Sequence, residues 1–191
     1  SDAEVNEQHP LPIQLHWKED GADYYEPIDT AHPLPVSVAP AERSFRTPWL
    51  PIEVIGDGVV YADGEIMGTG TLMYLPRTGR ITQILFQDKD DEGSAMDIAF
   101  FSRALATAPT DNSAFAPTDA DIEDYEGHIA IASSDFSNWD VNRGGTTFVP
   151  DFDFDTTERA WRFYVIARGT PNIAANNHPK IKFIGKTSEP I

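Results

Sequence analysis

Apolar residues near the start of the chain recur in one short pattern. Leu11-Pro12-Ile13-Gln14-Leu15, Leu34-Pro35-Val36-Ser37-Val38 and Leu50-Pro51-Ile52-Glu53-Val54 each set a proline before an apolar–polar–apolar alternation. His9-Pro10 and His32-Pro33 precede the first two copies. Proline fixes φ and has no N–H to donate, so it suits a strand's first residue or a sheet edge. The alternation then leaves one apolar face. Short strands of this kind, with Pro-rich acidic spacers, predict an extended arm over residues 1–47. A plain Pro-rich linker needs no such alternation.

From residue 48 to 191 the pattern predicts a sandwich body. Strand candidates are Ile52–Ile55, Gly58–Tyr61, Glu65–Leu75, Arg80–Gln87, Ala95–Ser102, Gly127–Ser133, Thr146–Val149, Ala160–Ala167 and Lys180–Ile184. Turn chemistry separates them, as in Pro76-Arg77-Thr78-Gly79 and Gly169-Thr170-Pro171-Asn172. Asp63-Gly64, between Val59-Val60-Tyr61 and Ile66, predicts a short hairpin. Gly68 and Gly70 inside one strand predict a bulge or bend. Helical periodicity is poor; the best candidate is Thr118–Tyr125, with Thr118 as cap and Asp121 at the capping-box offset. The fold class expected is all-β: a jelly-roll-like β-sandwich with an extended Pro-rich N-terminal arm.

Length and charge narrow the choice. A domain near 191 residues buries roughly 70% of its unfolded surface, so a core needs no staples. Cysteine is absent, which excludes disulfides and thiolate metal sites. The acidic start, Ser1-Asp2-Ala3-Glu4, does not read as a signal peptide, and no apolar run approaches the length of a membrane-spanning helix. A net charge of -17 argues against nucleic acid and anionic membranes as partners. The charge is uneven. Residues 1–42 carry nine acids against Lys18 alone, whereas Arg159, Arg162, Arg168, Lys180, Lys182 and Lys186 outnumber Glu158 and Glu189 at the other end. An acidic front and a basic end can meet within one subunit or between neighbours.

No constellation points to catalysis, and no cofactor or metal is expected. Asp88-Lys89-Asp90-Asp91-Glu92-Gly93 looks like half a calcium loop, but Ala99 stands where a bidentate Glu is required, so a solvated hairpin tip is expected. Asp151-Phe152-Asp153-Phe154-Asp155 puts acids on one face and rings on the other; the rings are expected in a core or interface, the acids against water or arginines. Trp161-Arg162-Phe163-Tyr164-Val165 alternates as a buried strand does rather than as a sugar platform. The histidines (His9, His16, His32, His128, His178) have no metal-ligand spacing. Glycoside hydrolysis needs two carboxylates roughly 5–9 Å apart across a cleft, and no pair is singled out.

One element carries a resemblance. Ile98-Ala99-Phe100-Phe101 ends a strand; a crossing follows with Asp111-Asn112-Ser113-Ala114-Phe115 and Asp119-Ala120-Asp121; Gly127-His128-Ile129 returns to strand. This succession resembles tailed-phage capsid decoration (auxiliary, cement) proteins, and His32-Pro33-Leu34-Pro35-Val36 is similar to N-terminal segments of phage virion proteins. The resemblance implies a structural, non-enzymatic virion protein, made in the host cytoplasm and placed on the capsid exterior as a trimer bound to the major capsid protein. The long acidic arm departs from shorter members of the family.

The expected function is therefore binding of the capsid lattice and of neighbouring copies through the arm. Leu11, Pro12, Ile13, Leu34, Pro35, Val36, Leu50, Pro51 and Ile52 are the expected anchors. The alternative is a carbohydrate-binding sandwich of a head fibre or tail, with Trp17, Tyr24, Tyr25 or Trp139 along an exposed groove.

Overall fold

A computed structural model describes residues 42–54, 59–90, 92–138, 143–156, 158–173 and 178–189, with backbone only at 59, 138, 143 and 146–151. All fall within one compact unit. The strands are β1 (Arg43–Arg46), β2 (Leu50–Pro51), β3 (Val59–Val60), β4 (Ile66–Tyr74), β5 (Thr78–Asp88) and β6 (Met96–Phe101). There follow a helical turn, α1 (Asp119–Ile122), then β7 (Tyr125–Ile131), β8 (Phe136–Asn138), β9 (Arg143–Asp155), β10 (Ala160–Ala167), β11 (Asn172–Ile173) and β12 (Lys180–Thr187).

The fold is an all-β sandwich of two antiparallel sheets. One runs β1-β12-β5-β9-β8, with β2 also on β12; the other runs β4-β10-β6-β7. A small pair, β3 with β11, stands apart. Alternation explains the layers. Ile81, Ile84, Phe154, Ile181 and Phe183 point inward from the first sheet, and Met96, Ile98, Phe100, Trp161, Phe163 and Val165 meet them from the second. The rings interlock edge to face, as for Phe163 with Phe183 at 5.3 Å and Phe154 with Trp161 at 5.5 Å. Trp161 and Phe163 are thus core residues, as their alternation predicts.

The second sheet is buried on both faces. Ile66, Ala99, Phe101, Leu105, Tyr164 and Ile166 form a separate cluster on its outer side, with Phe115 packed against it. The cover is the crossing between β6 and β7. This is why the strands β6 and β10 read as near-continuous apolar runs.

The crossing is pinned by hydrogen bonds from its own singular residues. The Asp111 carboxylate is buried and accepts from Tyr61 Oη at 2.8 Å and from the Gly68 N–H at 2.6 Å. Asn112 adopts φ 60°, which lets Asn112 and Ser113 bond to both backbone groups of Ile66. The Phe115 N–H donates to Gly64 O at 3.0 Å, and its ring enters the outer cluster. Thr118 caps α1, with the reciprocal capping box to Asp121 that the sequence predicts. The Asp121 carboxylate also accepts from the Ala106 N–H at 2.7 Å. That bond, with those from Thr118, holds the carboxyl below the usual aspartate range.

The predicted bulge in β4 is present. Thr71 lies opposite Phe163 and Met67 opposite Val165, so Gly68–Gly70 stand against the single residue Tyr164. Gly70 has φ +90°, and a Cβ there would run into the Tyr164 ring.

Two turn expectations are corrected. Asp63-Gly64 does not close a β3–β4 hairpin: β3 pairs with β11, and the Gly64 N–H donates to Ala167 O. Asp88–Gly93 is no hairpin tip, because β5 and β6 belong to different sheets. Asp88 is buried there and accepts N–H bonds from Asp90, Glu92 and Gly93 at 2.9–3.0 Å, so its oxygens hold the turn.

Candidate interaction surface

The chain enters the first sheet at Arg43, earlier than the 47/48 division read from the sequence. Phe45 is the reason: its side chain is 7% exposed and packs edge to face on Phe154 at 6.0 Å. β1 runs antiparallel to the last half of β12, with Arg43 opposite Thr187. Thr47 then breaks the strand. Its N–H donates to Phe183 O at 3.0 Å and its Oγ1 accepts the Phe183 N–H at 3.0 Å.

The third Leu-Pro copy follows and is consumed inside its own subunit. Leu50 and Pro51 lie opposite Ile181 and Lys180 on β12. The Ile52 N–H donates to Pro179 O at 2.8 Å. Ile52 and Val54 are buried in the main core, while Glu53 faces out. Main chain thus holds the segment at a sheet edge, and alternate apolar side chains plug the sandwich. Of the expected anchors, Leu50, Pro51 and Ile52 are therefore bound within their own copy. Leu11, Pro12, Ile13, Leu34, Pro35 and Val36 lie outside the described residues.

Residues 43–54 also form one bank of the seam between the two sheets; β4 forms the other. At the β2 end the banks touch. Thr71 Oγ1 donates to Pro51 O at 3.1 Å, and Gly68 packs so close to Glu53 that a Cβ would lie 3.0 Å from its carbonyl oxygen. At the β1 end they part. Phe45 and Arg46 on one side and Tyr74, Leu75 and Pro76 on the other border a cleft of about 370 Å³, closed at its end by Arg159 and Glu189.

Two sheet-crossing corners set this geometry. The Leu75 N–H donates to Arg159 O at 3.0 Å and the Thr156 N–H to Arg77 O at 2.8 Å, tying the β4–β5 corner to the β9–β10 corner. The Glu189 carboxylate accepts from the Arg77 and Thr78 N–H groups at 3.1 Å and from Arg159 Nη2 at 3.4 Å. Arg46 makes no ion pair with any described residue. Two exposed pairs around a separate shallow hollow, Lys186 with Glu42 at 3.1 Å and Arg80 with Asp153 at 2.8 Å, add at most about 1 kcal/mol each.

The cleft has an apolar floor and an open main-chain wall. Tyr74 is 69% exposed although its neighbours Met73 and Leu75 are buried. Because the Leu75 N–H points to β10, the antiparallel ladder turns the N–H and C=O groups of Leu72 and Tyr74 toward the free edge. Among the described residues neither has a main-chain partner there.

Phe152 and Phe154 pack into the core and Asp153 pairs with Arg80, as the alternation predicts. The described residues contain no cluster of three or more His, Asp or Glu side chains able to hold a metal. His128 Nδ1 lies 2.7 Å from Tyr125 Oη on edge strand β7. Trp17, Tyr24, Tyr25 and Trp139 lie outside the described residues. No helix among the described residues is long and apolar enough to cross a membrane. No family model and no curated protein matches the chain.

The cleft residues were missed from sequence for a definable reason. Tyr74 does carry a signal, an aromatic ring on the outward phase of a strand. Arg46, Arg159 and Glu189 carry none, since only the meeting of two corners and the chain's last strand brings them together.

Proposed function

We propose that this chain is a structural virion protein of the capsid-decoration kind: a jelly-roll-like sandwich that binds the major capsid protein lattice and neighbouring copies through its Pro-rich arm. It works by adhesion rather than catalysis. One observation carries the reading. The third Leu-Pro copy grips a sheet edge through main chain while Ile52 and Val54 fill the core. The two copies within residues 1–41 repeat that pattern, and on this reading they do the same to other molecules. The pinned crossing supports it further, because the Asp111–Phe115 element behind the resemblance is a fastening of the fold. The buried carboxylates Asp88, Asp111 and Asp121 all serve as acceptors for structural N–H or O–H groups.

Placed as a trimer on a lattice, many weak arm contacts sum by multivalency. High acidity then keeps free copies apart until they bind. The test is electron cryo-microscopy of purified particles from the virus that encodes the chain. Sandwich-shaped density at regular capsid sites on the exterior supports the reading. Particles without it, or with the chain only at a tail, overturn it.

A further inference from the structure

We propose that the open half of the seam is a docking site for the segment Leu34-Pro35-Val36-Ser37-Val38 of a second copy of this chain. This inference rests on the reading of residues 1–41 as an arm and names the surface that the arm takes on a neighbour.

Three observations favour this occupant. The first is the seam itself. Its β2 end is already filled by Leu50-Pro51-Ile52-Glu53-Val54, with two buried β-branched side chains and one outward polar residue. Leu34–Val38 reproduces that order, with Val36 and Val38 at the positions that would face inward; Leu11–Leu15 ends instead on Leu15, which is not β-branched.

The second is the free edge. β4 offers the main-chain groups of Leu72 and Tyr74, unpaired among the described residues, beside an apolar cleft of about 370 Å³. An incoming strand needs both: ladder bonds for hold and a pocket for alternate side chains. Pro35, which has no N–H, suits the first residue of such an added edge strand.

The third is charge. Residues 1–41 hold Asp2, Glu4, Glu7, Glu19, Asp20, Asp23, Glu26 and Asp29 against Lys18. The cleft presents Arg46, which makes no ion pair with any described residue, and Arg159, which pairs with Glu189 at the cleft's end. Complementary sign steers the encounter and disfavours the reverse pairing of two basic faces.

The donor is a second copy because of how the chain enters the sheet. Phe45 and Arg46 border the cleft themselves. Only residues 39–42 separate Val38 from β1, so a copy's own Val38 could enter only through an immediate reversal of the chain. A neighbouring copy faces no such reversal.

The absence of cysteine makes a clean test. Full-length Ser37→Cys and Tyr74→Cys chains, whose thiols would share the outward face of the added strand and of β4, are tagged to differ in mass, mixed and oxidised mildly. The mixture should yield a mixed disulfide dimer carrying both tags. Pairing Ser37→Cys with Val60→Cys, an exposed position on β3, should yield none. The doubly substituted Ser37→Cys/Tyr74→Cys chain should likewise link between molecules. The proposal is overturned if the double variant closes on itself, if Val60→Cys links as well as Tyr74→Cys, or if no mixed dimer forms. No capsid takes part, so this failure is distinct from failure to find the chain on particles.

Discussion

Tyr61 donates its hydroxyl to Asp111 at 2.8 Å, joining two buried residues fifty positions apart. Burial first, then the Asp111 bond, pushes the Tyr61 phenol far above its ordinary range, which favours the protonated, donating form. Through it the crossing that covers the second sheet is fastened to the turn ahead of β4.

Removing the hydroxyl should loosen that cover. Tyr61→Phe keeps the ring but deprives the buried carboxylate of a donor, at a cost of about 1–3 kcal/mol. Urea denaturation should show this loss, and hydrogen exchange should quicken at the N–H groups of Gly68 and Asn112. Unchanged exchange at both would show that the bond does not hold the crossing.

Acid should release the same loop from its other end. The Asp121 carboxyl is held low by the Ala106 N–H and Thr118, so its stabilising effect is fully present above the ordinary aspartate range and is lost as pH falls through the lowered folded value. Limited proteolysis by an acid-active protease should open residues 102–124 only below about pH 4. Asp121→Ala should make the loop labile at neutral pH and remove this pH dependence.

Two glycines separate backbone strain from crowding. Gly64 and Gly70 both have positive φ, but a Cβ meets open space at Gly64 and the Tyr164 ring at Gly70. Gly64→Ala should cost only the left-handed backbone penalty, about 1–2 kcal/mol. Gly70→Ala should add about 1–3 kcal/mol of overpacking. Equal losses in thermal or chemical denaturation would contradict the bulge geometry.

These particulars show what the sequence could and could not reveal. Strand β10, the β4 glycine bulge and the Thr118–Asp121 cap were legible because each is fixed by neighbours within a few residues. β1 was not, because Arg43-Ser44-Phe45-Arg46 has one apolar residue and becomes a strand only against β12, far along the chain. The Asp63-Gly64 turn misled because local chemistry sets a turn without choosing partners; β3 pairs with β11. The third Leu-Pro copy looked like its two predecessors, yet burial of Ile52 and Val54 ties it to its own core. The cleft was invisible because it lies where distant corners meet.

We propose that residues 1–41 grip other molecules while the sandwich stands without them. Binding to capsids stripped of the chain, measured for the full chain and for one lacking residues 1–41, tests this most directly, with near-ultraviolet circular dichroism reporting the packed aromatic core. The shortened chain should keep its aromatic signal and lose capsid binding. Equal occupancy by both chains would contradict it.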